Sequence, residues 1–313
     1  MSQPYHIPVM LAEVLDALAI HPEGNYADGT LGGGGHAAAI LERLSGGKVY
    51  AFDADPGAIA NAAVRFGEEM GRGIVVRQAY FSEACAMLEE DGVLLDGVLL
   101  DLGISSRQID SDQIGLSYRQ EMPLDMRFRR EPGRRSARDL VNKETPERLA
   151  TILRTYGEEP AAWKIAKAIA QARLARPIET TTELREIIEA IIPERFLMKT
   201  LSRVFQGLRI QVNDELGELR EALECFVPLL KPGGRFVVLT YHSLEDRMVK
   251  ERFREEERSC ICPPELPICT CDKKQRLKIL SRKPVLPSDE EIERNPRARS
   301  AKLRYAERVE DSK

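Results

Sequence analysis

Short apolar segments alternate with helical patterns over the first hundred residues. Four apolar segments are predicted to be strands: NYADGT, KVYAFDAD, GIVVRQA and LDGVLLDLG. Helical periodicity separates them at residues 35–45, 56–70 and 82–90, after a first helical pattern at residues 10–19. Strands that alternate with helices predict an α/β fold with a parallel sheet.

The pattern changes after Asp101. Residues 105–142 are polar, arginine-rich and irregular, and helical periodicity then runs from residue 146 to about residue 223. An apolar strand returns in GGRFVVLTYHS, and AKLRYAERV alternates as a late edge strand would. The sequence therefore predicts a first part of the α/β domain at 1–104, a helical insertion at 105–210 and a second part at 211–313.

Composition and charge limit the possible partners. The 313 residues carry a formal net charge of -4 with a pI of about 5.8, so any site for a polyanion would be a local patch. No basic run precedes an apolar core at the N-terminus, and Asp96 and Asp101 interrupt the longest apolar run. We expect no signal peptide, no membrane contact and a cytoplasmic location.

Four consecutive glycines, Gly32 to Gly35, join the first predicted strand to a helix. Gly32, Gly34 and Ala37 fit G-x-G-x-x-G/A, the dinucleotide-binding pattern. Asp53 ends the next strand, where an acid can reach a ribose hydroxyl. Taken alone, this pattern fits NAD as well as any other cofactor that contains an adenosine ribose.

Two further carboxylates favour S-adenosylmethionine over NAD. Asp28 precedes the glycines and Asp101 ends another predicted strand, and open parallel sheets bind ligands at the carboxyl ends of their strands. The carboxylate of Asp28 would repel a pyrophosphate but attract the amine and sulfonium of S-adenosylmethionine, and Asp101 would face the same crevice. We therefore expect Asp28, Asp53 and Asp101 to line one cleft.

Eight motifs give the chain a resemblance to a known family. They are HIPVM at 6–10, DGTLGGGGH at 28–36, FDADP at 52–56, LLDLGISSRQID at 99–110, PLDMR at 123–127, RVFQGLRIQVNDEL at 203–216, GGRFVVLTYHSLEDR at 233–247 and NPRARSAKLR at 295–304. With these motifs the sequence resembles the bacterial 16S rRNA (cytosine-N4) methyltransferase family, RsmH or MraW. The resemblance implies a Rossmann-like S-adenosylmethionine-dependent methyltransferase sheet that is interrupted by a helical insertion domain for RNA recognition.

The resemblance also implies the reaction and the cofactor site. The substrate would be the N4 amine of a decoding-region cytosine in the 16S rRNA of the small ribosomal subunit, with no DNA substrate. S-adenosylmethionine would be bound by Gly34, Gly35, His36, Asp53, Phe81, Asp101 and Gln108. Asp53 would hold the ribose diol, Phe81 would pack against the adenine, and loop N–H groups would meet the methionine carboxylate. Gln108 rests on the resemblance alone.

The target base needs its own set of residues. The exocyclic amine of cytosine is a poor nucleophile, so an enzyme helps by accepting its hydrogen bonds, and the base must leave its stack. Many amino-methyltransferases use an Asp/Asn-Pro-Pro-aromatic loop, but DLGISS has no Pro-Pro pair. The predicted catalytic residues are Asp101, Ser105 and His242, with Ser106, Ser243 and Asp246 as further candidates. A structural role is the alternative for His242, and Asp246 could pair with Arg247 or Arg252.

Residues 119–138 form a locally basic segment, with seven arginines against three acids. Arginines that flank Phe128 suit phosphate contact and base stacking. RNA contacts are therefore predicted for Arg127, Arg129, Arg130, Arg134 and Arg135, and a solvated loop is the alternative. NPRARSAKLR adds Arg297, Arg299, Lys302 and Arg304.

Six cysteines fall into two groups. Cys85 and Cys225 stand alone and are expected to be small buried apolar residues, because a reducing cytosol argues against structural disulfides. The other four are Cys260, Cys262, Cys269 and Cys271. Four thiolates this close could hold zinc tetrahedrally, but C-x-C is tighter than the usual C-x2-C, so no metal ligand is predicted.

Two other functions stay open at this point. An NAD-dependent oxidoreductase could use the same glycine loop, but the acidic cleft and the arginines would then have no role. A non-catalytic RNA-binding factor of ribosome assembly would explain the arginines and leave the glycine loop without a purpose.

Overall fold

A computed structural model describes residues 8–103, 114–263 and 270–310. The chain forms two compact units, one of Met1–Gly103 with Glu218–Lys313 and one of Ile104–Gly217. The first unit contains the predicted sheet, and the second is the predicted helical insertion. The chain returns to the first unit at Glu218 rather than at residue 211, because a continuous helix of the second unit runs as far as Asn213.

A seven-stranded sheet forms the centre of the first unit. Its strands in chain order are β1 Asn25–Asp28, β2 Lys48–Asp53, β3 Ile74–Gln78, β4 Leu95–Asp101, β5 Leu230–Thr240, β6 Leu277–Ile279 and β7 Lys302–Arg308. Their spatial order is β3-β2-β1-β4-β5-β7-β6. The first five strands are parallel, and β7 is antiparallel to both β5 and β6. The strand order reverses between β1 and β4, which is where open α/β sheets bind ligands.

Twelve α-helices lie in the described part of the chain. They are α1 Leu11–Leu18, α2 Gly35–Leu41, α3 Pro56–Phe66, α4 Phe81–Glu90, α5 Ala137–Lys143, α6 Pro146–Thr155, α7 Ala162–Ala172, α8 Thr181–Glu189, α9 Glu194–Asn213, α10 Glu215–Leu229, α11 Ser243–Glu257 and α12 Asp289–Arg294. Across the described residues, none of these helices combines the length and the apolar composition that a bilayer span requires.

Apolar clusters bury both faces of the sheet. In β4, Leu99 belongs to one cluster, and its neighbours Val98 and Leu100 belong to the other, because successive strand residues point to opposite faces. The second cluster includes the rings of Phe226 and Phe253, which lie 6.2 and 5.6 Å from that of Phe236 in β5. Burial on both faces explains why these strands are nearly continuous apolar runs.

The helical unit has a core of its own. Leu149, Ile165 and Leu208 are fully buried there, on α6, α7 and α9. A polar side chain caps α6: the Thr145 side chain accepts the amide of Arg148, with a proline as the first helical residue. The sequence pattern of this region was therefore a correct guide to its helices.

Two predictions about the first unit were wrong. β7 is not an edge strand, because β6 pairs along its outer side, and the three-residue β6 is too short to show an alternating pattern. Cys85 on α4 and Cys225 on α10 form a disulfide, with Cα atoms 6.0 Å apart. The two helices bring together residues that lie 140 positions apart, a proximity that spacing in the sequence does not show.

Candidate active site

Three carboxylates end adjacent strands of the sheet. Asp28 ends β1, Asp53 ends β2 and Asp101 ends β4. Since β1 lies between β2 and β4 and all three are parallel, the three residues lie at the same edge of the sheet. This edge carries the glycine loop that follows β1.

Asp53 is hydrogen-bonded to the glycine loop. Its Oδ2 accepts the amide of Gly32 at 2.7 Å, and its Oδ1 accepts the amide of Asp55 at 2.8 Å. Burial raises the pKa of Asp53 to about 6, although both hydrogen bonds favour the carboxylate. Each carboxylate oxygen accepts more than one hydrogen bond, so Asp53 can fix the loop and still accept a ribose diol.

Asp28 is more deeply buried than its predicted role requires. It is 1% exposed, and its Oδ1 accepts the amide of Thr30 at 3.0 Å. Burial raises the pKa of Asp28 to about 6, against the opposing effect of His36. The carboxylate therefore supports the turn after β1, which corrects the expectation that it meets a cationic ligand directly.

Asp101 is held in place from several sides. The Tyr241 hydroxyl donates to its Oδ1 at 2.7 Å, and Nδ1 of His36 lies 3.6 Å from its Oδ2. The amide of Asp101 donates to the Thr30 hydroxyl at 2.6 Å. Burial and the nearby Asp101 raise the pKa of Tyr241, so its hydroxyl keeps the proton that it donates. Asp101 thus has a fixed orientation at the sheet edge.

His36 is the second residue of α2, directly after the glycine loop. The ring is buried, with Nε2 3.1 Å from the carbonyl of Val9 and Nδ1 facing Asp101. The contacts that the structure shows for this predicted cofactor residue are therefore with the backbone of Val9 and with a carboxylate of the site.

Part of the glycine loop is already hydrogen-bonded within the protein. These bonds engage the amides of Gly29, Thr30, Leu31, Gly32 and Gly34. Within the described ranges, the amides of Gly33 and Gly35 are left to meet the carboxylate of a ligand. The predicted binding of the methionine carboxylate by the loop therefore falls to the amides of Gly33 and Gly35.

The glycines of the loop serve different purposes. Gly34 has a φ of +72°, and a Cβ there would lie 3.1 Å from the ring of Phe66. A Cβ at Gly35 would lie 2.4 Å from Pro8. At Gly33, by contrast, a Cβ would meet no atom within 4 Å. Gly34 and Gly35 are therefore required by backbone conformation and packing, whereas Gly33 borders space that a ligand can fill.

Phe81 begins α4 close to the end of β1. Its ring atoms lie 3.5 Å from the position that a Cβ of Gly29 would take, and it packs against the apolar cluster that contains Phe52. An aromatic ring near the ends of β1 and β2 is suited to an adenine. Ser105, Ser106 and Gln108 lie outside the described residues.

His242 lies just beyond the carboxyl end of β5, as predicted. There it caps α11: its Nδ1 accepts the amide of Glu245 at 3.5 Å, and its Nε2 lies 2.9 Å from Oε1 of Glu245. Glu245 is buried and also accepts the amide of Tyr241 at 2.9 Å. These contacts favour the structural alternative for His242.

Asp246 pairs with β7 rather than with Arg247 or Arg252. Its Oδ1 accepts Nε of Arg304 at 2.6 Å, and Nζ of Lys302 lies 3.4 Å from its Oδ2. These ion pairs lower the pKa of Asp246 despite its partial burial. Ser243 is the first residue of α11. Asp246 therefore links a helix to the sheet, and Arg304, which is buried, is not a surface contact for RNA.

Comparison with known proteins decides the family. The model of the MraW methylase family matches residues 3–309. The chain belongs to the MraW methylase family. Ribosomal RNA small subunit methyltransferase H of Heliobacterium modesticaldum is 47% identical, with 97% of this chain and 99% of the relative covered. The protein of the same name from Trichlorobacter lovleyi is 44% identical, with 99% and 100% covered.

Membership in the MraW methylase family confirms the resemblance that the eight motifs indicate. It favours S-adenosylmethionine over NAD as the ligand of the glycine loop. A solved rRNA methylase from Streptococcus thermophilus aligns with 96% of this chain and 92% of its own, at 12% identity and a TM-score of 0.39.

Two arginines of the basic segment make hydrogen bonds within the helical unit of this MraW-family chain. Nε of Arg127 donates to Asp125 at 2.6 Å. Nη2 of Arg134 donates to the carbonyl of Asn213 at 3.1 Å, at the end of α9. Both side chains are mostly buried. Their contacts favour a structural role over the predicted one in RNA binding.

The other three arginines are more accessible. Arg129 pairs with Glu131 at 2.6 Å. Arg130 lies 3.2 Å from Asp125 with its side chain 56% exposed, and Arg135 lies 2.6 Å from Glu144 with its side chain 47% exposed. Surface ion pairs of this kind are weak and exchange readily for other partners. RNA contact by Arg129, Arg130 and Arg135 stays a prediction.

Tyr241 is the site residue that sequence reasoning missed. It directly follows β5 in the family motif LTYHS, so the sequence pattern already predicts its position at the carboxyl end of a strand. Its hydrogen bond to Asp101 joins residues 140 positions apart and needs the pairing of β4 with β5.

Proposed function

We propose that the protein transfers a methyl group from S-adenosylmethionine to the N4 amine of a cytosine in the 16S rRNA of the small ribosomal subunit. The observation that carries the proposal is the match of residues 3–309 to the MraW methylase family. The shared name of its relatives, ribosomal RNA small subunit methyltransferase H, supports the substrate class. A cytoplasmic location belongs to the same proposal.

The loop after β1 and the end of β2 have the chemistry to hold the cofactor. Asp53 offers carboxylate lone pairs to a ribose diol, and the amides of Gly33 and Gly35 can donate to a methionine carboxylate. The open space beside Gly33 supports this fit, because a ligand can reach the backbone there. Phe81 supplies an apolar face for the adenine.

Asp101 is the residue that we assign to the target amine. In methyl transfer, a bond forms between N4 and the methyl carbon while the bond from carbon to sulfur breaks, and the nitrogen then loses one proton to water. A carboxylate that accepts an N–H of the amine raises electron density on the nitrogen. Tyr241 keeps Asp101 oriented, and Oδ2 can accept that N–H.

The proposal is tested with small subunits that lack the modification. The protein is incubated with methyl-labelled S-adenosylmethionine, and the labelled nucleoside is mapped by digestion and mass spectrometry. We expect the label on N4 of one cytosine in 16S rRNA, and none when Asp101→Ala replaces the wild type. Label on a different atom, on DNA or on protein alone would overturn the proposal, and NAD binding would reopen the oxidoreductase alternative.

A further inference from the structure

The loop between α11 and β6 brings three cysteines together. The Sγ atoms of Cys260, Cys262 and Cys271 all lie within 4.8 Å of one another. Cys260 is exposed and the other two are half-buried. Most of the described neighbours are exposed, so an apolar core does not explain why these thiols gather.

The spacing of the sulfur atoms suits a shared metal ion. Sγ of Cys260 lies 3.7 Å from Sγ of Cys271. Two thiolates on a tetrahedral zinc, each at about 2.3 Å, lie about 3.8 Å apart. A disulfide would need a separation of about 2.05 Å. Cys260 and Cys271 therefore lie at the separation that two thiolates on a shared metal ion have.

Backbone amides point at each of the three sulfur atoms. The amide of Cys262 donates to Cys260 at 3.3 Å, and that of Ile261 donates to Cys271 at 3.4 Å. The amide of Thr270 donates to Cys262 at 3.4 Å. Such hydrogen bonds stabilise negative charge on sulfur and orient the ligands around a metal. The short spacing between Cys260 and Cys262 is compatible with this arrangement, because the amides of Ile261 and Cys262 both donate to sulfur atoms of the cluster.

The base of the loop is fixed by an ion pair. Glu256 near the end of α11 is buried, and both of its oxygens accept hydrogen bonds from the guanidinium of Arg276 at 2.6 Å. The amide of Arg276 also donates to the carbonyl of Glu256 at 2.8 Å. The cysteines thus lie on a loop whose two ends are already held together.

We propose that the thiolates of Cys260, Cys262 and Cys271 bind one zinc ion that closes this loop. Thiolates select soft or borderline metals such as zinc. The sequence alone argued against a metal from the C-x-C spacing, and the distances across the loop reverse that prediction. Cys269 lies outside the described residues, and the proposal does not depend on it.

Metal analysis of the full-length protein tests the proposal. The protein is purified under reducing conditions without chelator, and its metals are measured by plasma mass spectrometry. We expect about one zinc per chain in the wild type, as a single tetrahedral site requires. Cys260→Ser with Cys271→Ser should lose the zinc. Cys85→Ser with Cys225→Ser, which removes the other close cysteine pair, should retain it.

Thiol alkylation and cobalt absorption of the wild-type protein give a second test that does not depend on how well the variants fold. In the wild type, zinc should protect Cys260, Cys262 and Cys271 from alkylation by iodoacetamide, and a chelator should expose them. Cobalt loading should give a thiolate-to-metal charge-transfer absorption. Wild-type protein that stays without metal after reduction and zinc addition would overturn the proposal. Full zinc retention in the Cys260→Ser, Cys271→Ser variant would do the same. Neither result involves methyl transfer, so the proposed function is tested separately.

Discussion

At the scale of single residues, Asp53 joins the glycine loop to the proposed ribose site. Asp53→Asn replaces one acceptor oxygen by an NH2 group, so cofactor affinity should fall by about 1.5–3 kcal/mol, the range for a hydrogen bond to a charged group. Calorimetry with S-adenosylmethionine measures this, with Asp91→Asn as the control, since Asp91 pairs with Arg77. Unchanged affinity in a folded variant would remove Asp53 from the site.

Substitutions at Gly33 and Gly34 should have different effects, because Gly33 borders open space and Gly34 has a left-handed backbone. Gly33→Val points its side chain into open space, so it should lower cofactor affinity about tenfold or more, at least 1.4 kcal/mol, with little change in stability. Gly34→Val should instead lower the free energy of unfolding, because left-handed backbone costs other residues about 1–2 kcal/mol. Calorimetry and thermal unfolding of both variants compare the two effects. Normal binding by Gly33→Val would mean that the ligand does not approach this glycine.

Asp28 gives the stability of the protein a pH dependence. Burial raises its pKa from 3.8 to about 6, so the folded state binds the proton more tightly than the unfolded state does. The free energy of unfolding therefore falls as pH rises through about 6 and Asp28 ionises. Asp28→Asn removes this cost and keeps an acceptor for Thr30. Relative to the wild type, the variant should gain about 2–3 kcal/mol between low and neutral pH. Urea unfolding at several pH values measures the difference, and parallel pH profiles would contradict the prediction.

At the scale of elements, the end of α9 anchors the basic segment. Asn213 is buried, its Nδ2 donates to the carbonyl of Met126 at 2.8 Å, and its Oδ1 accepts the amide of Phe128 at 2.9 Å. Asn213→Ala leaves both backbone groups without this partner and should cost about 1–3 kcal/mol of stability. Denaturant unfolding measures it. Gln211→Ala, on the same helix with a bond to Arg148, should stay within about 0.5 kcal/mol of the wild type. Equal effects would show that Asn213 is not the anchor.

At the scale of the whole molecule, the two units have separate cores, so RNA and cofactor binding can be measured apart. Arg130→Ala with Arg135→Ala should weaken binding of a small-subunit rRNA fragment. The slope of log affinity against log salt should also flatten by about 0.7 for each phosphate that no longer has an arginine partner, while cofactor affinity stays unchanged. Filter binding over a salt series measures this. Arg176→Ala, 74% exposed in the same unit, is the control. Unchanged RNA binding would mean that the segment is a solvated loop that does not contact RNA.

The sequence by itself determined the alternation of strands and helices, the helical insertion and the family, because periodicity, caps and motifs are local in the chain. It also placed Asp53 and Asp101 at strand ends, since each carboxylate directly follows its own apolar run. Only the tertiary structure decided the partners that lie far apart in the chain. The hydrogen bond from Tyr241 to Asp101 and the Cys85–Cys225 disulfide depend on which strands and helices become neighbours. The burial of Asp28 and the distance between the sulfur atoms of Cys260 and Cys271 also follow from the tertiary structure. Packing between elements decides how much solvent reaches a side chain and how far apart two side chains lie.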